Sequence, residues 1–137
     1  MKNLILFLAV MFATPALAQE GSGANPAFQS VITHQLQAIA KDDAATAYSD
    51  AAPNVQMIFP SPDTFMNMVR GGYPPVYRNK QYGFESSGID ASGRNYQRVE
   101  ILGADGESYE AVYFMEQQKD GTWKISGCVV VKAAGSV

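Results

Sequence analysis

The sequence predicts one exported α+β domain, with helices first and then a meander of antiparallel strands wrapped over them. Three observations lead there. A removable leader occupies residues 1–18. Apolar residues then recur at helical spacing through the first half of the remaining chain. After Pro74-Pro75 the pattern alternates at strand spacing, with glycine turns between the runs.

The leader has three parts. Lys2 supplies the positive charge, Leu4 to Ala13 is an unbroken apolar run, and Thr14-Pro15 precedes Ala16-Leu17-Ala18. A short apolar helix followed by small residues at the two gripped positions is the pattern of a secretory signal cut after Ala18. The alternative, an uncleaved anchor, fails on length, because a span needs about 20 apolar residues and Pro15 interrupts this one. No cysteine follows the cut to carry a lipid, so the expected product starts at Gln19, keeps no stable membrane anchor, and is periplasmic or secreted.

Removing 18 of 137 residues leaves 119, enough for one domain with one core. Lys2 is the only charge lost, which leaves nine basic against thirteen acidic residues, a net of −4. A mildly acidic chain with no Lys/Arg run carries no footprint for nucleic acid. The single cysteine, Cys128, cannot form an internal disulfide, so stability rests on packing.

Residues 19–24 form a Gly/Ser-containing spacer, and the domain is expected over 25–137. Asn25-Pro26 pairs an N-cap with a first-turn proline, and Phe28, Val31, Ile32, Leu36 and Ile39 make one helical stripe. Asp42 or Asp43 caps a second helix, Ala44 to Ala51, which Pro53 ends. Ser61-Pro62-Asp63 opens a third through Phe65, Met66 and Val69, stopped at Gly71-Gly72. Strands are expected at Val76–Glu85, Tyr96–Leu102, Tyr109–Gln117 and Trp123–Val131. They are separated by Ala91-Ser92-Gly93, Asp105-Gly106 and Asp120-Gly121.

This order resembles the cone-shaped fold of the nuclear transport factor 2-like (cystatin-like) superfamily. Its phrases are Gln35-Leu36, Asp42-Asp43-Ala44, Ala52-Pro53, Phe65-Met66 with Met68-Val69-Arg70, and Gly72-Tyr73 with Pro75-Val76-Tyr77. Gln97, Val99 and the run from Asp120-Gly121 through Trp123-Lys124-Ile125 to Gly127 complete them. Together they resemble an exported bacterial family classed as a domain of unknown function, over nearly the whole mature chain. The resemblance implies an antiparallel sheet around helices, often paired with a second copy through the sheet. It brings no activity.

Two glutamines stand out. On a helical wheel Gln35 falls between Val31 and Ile39, in the middle of the buried stripe, where an amide must find partners. It either bonds a neighbouring backbone group or points into a pocket. Gln97 shares strand parity with Val99 and Ile101 and should face the same way. The two could pair across the core or form the polar end of a cavity. Arg70 closes the third helix, where a cation suits the dipole; with Arg78 it could instead clamp an anion. Tyr48 and Tyr73 complete the ligand-contacting set expected here: Gln35, Gln97, Arg70, Tyr48 and Tyr73.

Catalytic and metal chemistry are poorly supplied. His34, the only histidine, lies off the apolar stripe. No second histidine or spaced cysteine completes a zinc set, and nothing calls for a cofactor. Asp42-Asp43 is accounted for by helix capping. An isomerase of the resembled superfamily needs a carboxylate facing a tyrosine in an apolar pocket. Asp43, Asp63 and tyrosines such as Tyr77, Tyr82, Tyr109 and Tyr113 are parts without a motif. By strand parity Cys128 faces away from Trp123 and Ile125, so Val112, Phe114, Cys128 and Val130 would form an apolar strip on the outer sheet surface, suited to a homodimer. The competing arrangement reverses one strand's parity. The leading reading is a non-catalytic module binding a small apolar or anionic ligand, or a protein. The alternative is a lyase- or isomerase-type enzyme acting on a small apolar substrate.

Overall fold

The computed structural model describes residues 25–133, so the leader and the spacer up to residue 24 lie outside the described residues. Helix α1, Pro26–Ala40, begins as the cap predicts: the Asn25 carboxamide oxygen accepts from the Phe28 amide at 3.2 Å. Its buried face is Phe28, Ile32, Gln35, Leu36, Ala38 and Ile39. Asp42 then takes a left-handed conformation, φ 55°, which lets the chain reverse. Asp43 caps α2, Ala44–Ser49, by accepting from the Thr46 amide.

Pro53, expected to end a helix, and Pro74, expected to lead into the first strand, each begin a helix instead. Pro53 opens α3, Pro53–Ile58, and Pro74 opens α5, Pro74–Tyr77. Proline lacks only an amide that the first turn leaves unpaired anyway, so both roles suit it. The second helix accordingly stops at Ser49 rather than Ala51, and the first strand starts at Asn79 rather than Val76. Between them α4, Pro62–Gly72, is capped by Ser61, and Arg70 stands in its last turn.

The sheet is β1 (Asn79–Ile89), β2 (Asn95–Gly103), β3 (Ser108–Gln117) and β4 (Trp123–Lys132), antiparallel in the order β1-β2-β3-β4. The hairpin glycines Gly106 and Gly121 sit at φ 82° and 87°, which only glycine adopts without strain. Val99, Ile101, Ala111, Tyr113, Met115 and Ile125 face the helices and meet α1 and α4 in one core. One end of that core is closed by Phe28, whose ring meets Trp123 edge-on at 4.7 Å.

Two bulges change which side chains face inward. In β1, one extra residue lies between Phe84 and Ser87 opposite Gln97 to Val99. In β4, Phe114 pairs with Gly127 and Met115 with Ile125, so Ser126 is the extra residue. Beyond it the parity of β4 reverses. Cys128 pairs with Tyr113 and Val130 with Ala111, both facing inward, while Val129 and Val131 face outward. The expected outer strip is therefore corrected to Val112, Phe114, Val129 and Val131, with Val129 and Val131 about half exposed.

Candidate functional site

A pocket of about 740 Å³ opens at the end of the core away from Phe28 and Trp123, and it has two parts. The inner part lies between the helices and the inward sheet face: Gln35 and Ile39 from α1, Val55 from α3, Phe65 from α4, and Tyr113 and Cys128 from the sheet. Tyr73, between α4 and α5, forms one wall. Its hydroxyl donates to the Cys128 carbonyl at 3.0 Å. The outer part continues past the β4 bulge onto residues of the opposite face, with Phe114, Glu116, Gly127 and Val129, and the Arg94 guanidinium lies over the Phe114 ring at 3.9 Å. Ile58 and Val129, both exposed and apolar, also line the pocket.

The inner part is electrically quiet. Its ionisable side chains are Tyr73, Tyr113 and Cys128. Burial pushes Tyr73 up, with a smaller push from Cys128. Burial drives Tyr113 well above the ordinary phenol value and Cys128 up to about 12. All three are neutral at physiological pH. Tyr113 is 1% exposed, and its hydroxyl has no oxygen or nitrogen partner. The group beside it is the Cys128 thiol, toward which it donates as to a weak sulfur acceptor. The Tyr82 and Tyr73 phenols are its other polar neighbours.

Of the five residues expected to contact a ligand, the structure brings two to this pocket. Gln35 is buried there, and its Nε2 donates to the Ala47 carbonyl at 3.1 Å, fastening α1 to α2. Tyr73 is the other. Gln97 sits elsewhere, inside the β1 bulge, where its Nε2 donates to the carbonyls of Glu85 (3.0 Å), Ser86 (3.3 Å) and Arg98 (2.9 Å). The two glutamines therefore neither pair nor share a cavity wall. Tyr48 holds the end of α3 by donating to the Phe59 carbonyl at 2.6 Å.

Arg70 lies outside the pocket and does converge with Arg78, but on a carboxylate of the chain itself. Asp42 accepts from Arg78 Nη2 at 2.7 Å, from Arg70 Nη2 at 3.4 Å and from the Tyr77 hydroxyl at 2.5 Å. These bonds, the Tyr77 one first, hold Asp42 below the usual carboxylate range. The anion position between the two arginines is thus filled from within.

The remaining acidic candidates also lie outside the pocket. Asp43 caps α2, and Asp63 is exposed in the first turn of α4. His34 Nδ1 meets Asp50 Oδ2 at 2.5 Å on the surface, and burial raises Asp50 against that bond. Among the described residues no group of three or more His, Cys, Asp or Glu side chains is placed to hold a metal. None of their helices is long and apolar enough to cross a membrane.

Sequence reasoning missed Cys128 as an inward residue and Arg94 as a pocket residue. The signal for the first was present: Gly127, isolated inside a strand pattern, marks a bulge. Arg94 reaches the pocket through a hairpin tip folding over Phe114, which local sequence does not encode.

Residues 22–137 match the family described as a domain of unknown function, DUF4864, and the chain belongs to that family. Neither a curated protein nor a solved structure matches the chain.

Proposed function

We propose that this domain is an exported binding module that takes one small, largely apolar molecule into the pocket between α1, α4 and β4. The observation that carries this reading is the pocket itself. Its volume of about 740 Å³ falls in the usual range for small-ligand sites. Its inner lining is apolar with four neutral polar side chains, Gln35, Tyr73, Tyr113 and Cys128, while the charged lining residues Arg94 and Glu116 stand on the outer part. The isomerase reading needs a base facing a tyrosine, whereas Asp43 caps α2 and Asp63 is exposed on α4, both outside the pocket, which favours binding over proton transfer.

The α+β order, helices followed by a four-stranded antiparallel meander, supports placement in the cone-fold superfamily that the sequence resembles. The leader supports export with cleavage after Ala18. The outer strip around Val129 and Val131 supports self-association as a second property.

Native mass spectrometry of protein purified from its own compartment tests binding and export together. The expected result is a chain beginning at Gln19 that carries a retained small molecule, released on unfolding. A ligand-free chain that also binds nothing from a panel of apolar molecules would sink the binding reading. A full-length chain would sink export.

A further inference from the structure

We infer that the ligand carries a neutral hydrogen-bond acceptor, a carbonyl-type oxygen, and that the Tyr113 hydroxyl is the donor that meets it. The inference rests on the binding reading above and adds the polarity and charge of what is bound.

Three observations point the same way. First, the Tyr113 hydroxyl is buried with no oxygen or nitrogen partner, and its one neighbouring acceptor is the weak sulfur of Cys128. Native structures seldom keep such a group without a use for it. Second, the Tyr73 hydroxyl is committed to the Cys128 carbonyl, and Gln35 Nε2 spends one of its two hydrogens on the Ala47 carbonyl. The group left without an oxygen or nitrogen partner is a phenol, whose stronger role is donation, so its complement is an acceptor. Third, the two charged side chains that line the pocket among the described residues lie on its outer part, Arg94 over the Phe114 ring and Glu116 exposed on the same outward sheet face, and neither faces the inner wall. A ligand carboxylate or ammonium buried there would lose its hydration with no counter-charge. Ketones, aldehydes, esters and quinones meet both conditions.

Access has a cost that shapes specificity. The hydroxyl oxygen is closed off from solvent, so an acceptor reaches it only as a neighbouring side chain moves aside. Because the hydroxyl is already stripped of water, the new hydrogen bond is made without the desolvation that usually offsets one on the protein side. The site therefore discriminates a ketone from a hydrocarbon of the same shape.

The test uses the mature-length protein and three matched probes: 2-acetylnaphthalene, 2-isopropenylnaphthalene and 2-naphthoate. Calorimetric titration gives each affinity for the wild type and for Tyr113→Phe. The expected ratio of ketone to hydrocarbon affinity is about tenfold higher in the wild type than in the variant, with naphthoate weakest. In the wild type alone, isotope-edited infrared spectroscopy of the labelled ketone should show one carbonyl band at lower wavenumber than in cyclohexane. That measurement stands even if the variant folds poorly. A ratio equal in the two proteins, or a carbonyl band at its cyclohexane position, refutes the donor role while leaving the pocket reading intact. Tightest binding by naphthoate overturns the neutral-ligand claim. If none of the three binds either protein, the pocket reading fails and this inference with it.

Discussion

Replacing Tyr113 by Phe should make the unliganded protein more stable, the reverse of what trimming a buried polar side chain usually does. The hydroxyl is buried with no oxygen or nitrogen partner, and the Cys128 thiol beside it is a weak acceptor. A group in that state recovers little of its lost hydration, at a cost of roughly 1–3 kcal/mol. Removing one oxygen leaves a small space, and at about 24 cal/mol per Å³ the loss is only a few tenths of a kcal/mol. The net expectation is a gain of about 1–2 kcal/mol. For a domain near 110 residues, with an unfolding entropy of about 2.1 cal/mol/K per residue, that raises Tm by about 4–9 °C. Thermal melts followed by circular dichroism, with urea unfolding as a second measure, read it directly. Tyr73→Phe is the matched control, because it removes a phenol from the same pocket that does donate, to the Cys128 carbonyl at 3.0 Å. It should lose about 1 kcal/mol. An unchanged or lowered Tm for Tyr113→Phe would show that the hydroxyl is satisfied in solution and would remove the basis of the acceptor inference. Opposite signs for two Tyr→Phe changes in one cavity cannot arise from a general loosening of the core.

Three further outcomes follow from the same structure. Gln97→Met withdraws a donor from the bulge carbonyls of Glu85 and Ser86, and should cost about 1–2 kcal/mol in urea unfolding. The unpartnered Gln97 Oε1 keeps the loss from being larger, and a loss under about 0.5 kcal/mol would mean the carbonyls find other donors. Asp90 accepts from the Arg94 amide and the Ser92 hydroxyl, which bring its carboxyl to about 2 from an ordinary 3.8. Its contribution is present above about pH 4 and is lost as the pH falls toward 2, so a carboxyl carbon titration should show a midpoint near 2 that Ser92→Ala moves upward. A midpoint unmoved by that change would dismiss the turn bonds as the cause. Cys128, pushed up to about 12 by burial, should resist a disulfide reagent at pH 8 in the folded state and react on unfolding; fast labelling of the native protein would contradict its inward placement.

The order of elements was legible because its signals are local. Asn25-Pro26 and Ser61-Pro62 each place a cap and a first-turn proline at adjacent positions, and Asp105-Gly106 and Asp120-Gly121 each fix a turn. The burial of Gln35 was legible from helical period alone. What failed was parity across long strands. One extra residue at Ser126 exchanges Cys128 and Val130 for Val129 and Val131, and a period of two carries no memory of an insertion. Pro53 and Pro74 were ambiguous for a related reason: a proline marks a boundary without saying on which side the helix lies. The partner of Gln35, the Asp42 carboxylate between two arginines and the isolation of Tyr113 depend on contacts between distant segments, which no window of sequence contains.

The β4 bulge explains why the pocket lies where it does. β4 is an edge strand, and an open edge invites pairing with other chains. Here much of that edge is covered from within. Ile125 donates to the Asp50 carbonyl and accepts from the Ala52 amide, each at 2.8 Å; Asn54 donates to the Ser126 carbonyl, and Tyr73 to that of Cys128. The two backbone bonds bring the α2–α3 connection against the strand, yet the side-chain bonds are made by residues that also line the pocket. Protecting the edge and building the cavity wall are therefore one arrangement. The bulge makes it possible by turning Cys128 inward toward Tyr113. Were Ser126 paired in a regular ladder instead, Cys128 would stand opposite Val112 and face outward, and the inner wall beside Tyr113 would be formed by different side chains. Deleting Ser126 removes only the extra residue and leaves Cys128 opposite Tyr113, so a deletion variant that folds should keep its ligand. Loss of the ligand from a deletion variant that keeps its sheet content would break the link between the inward register of Cys128 and the site.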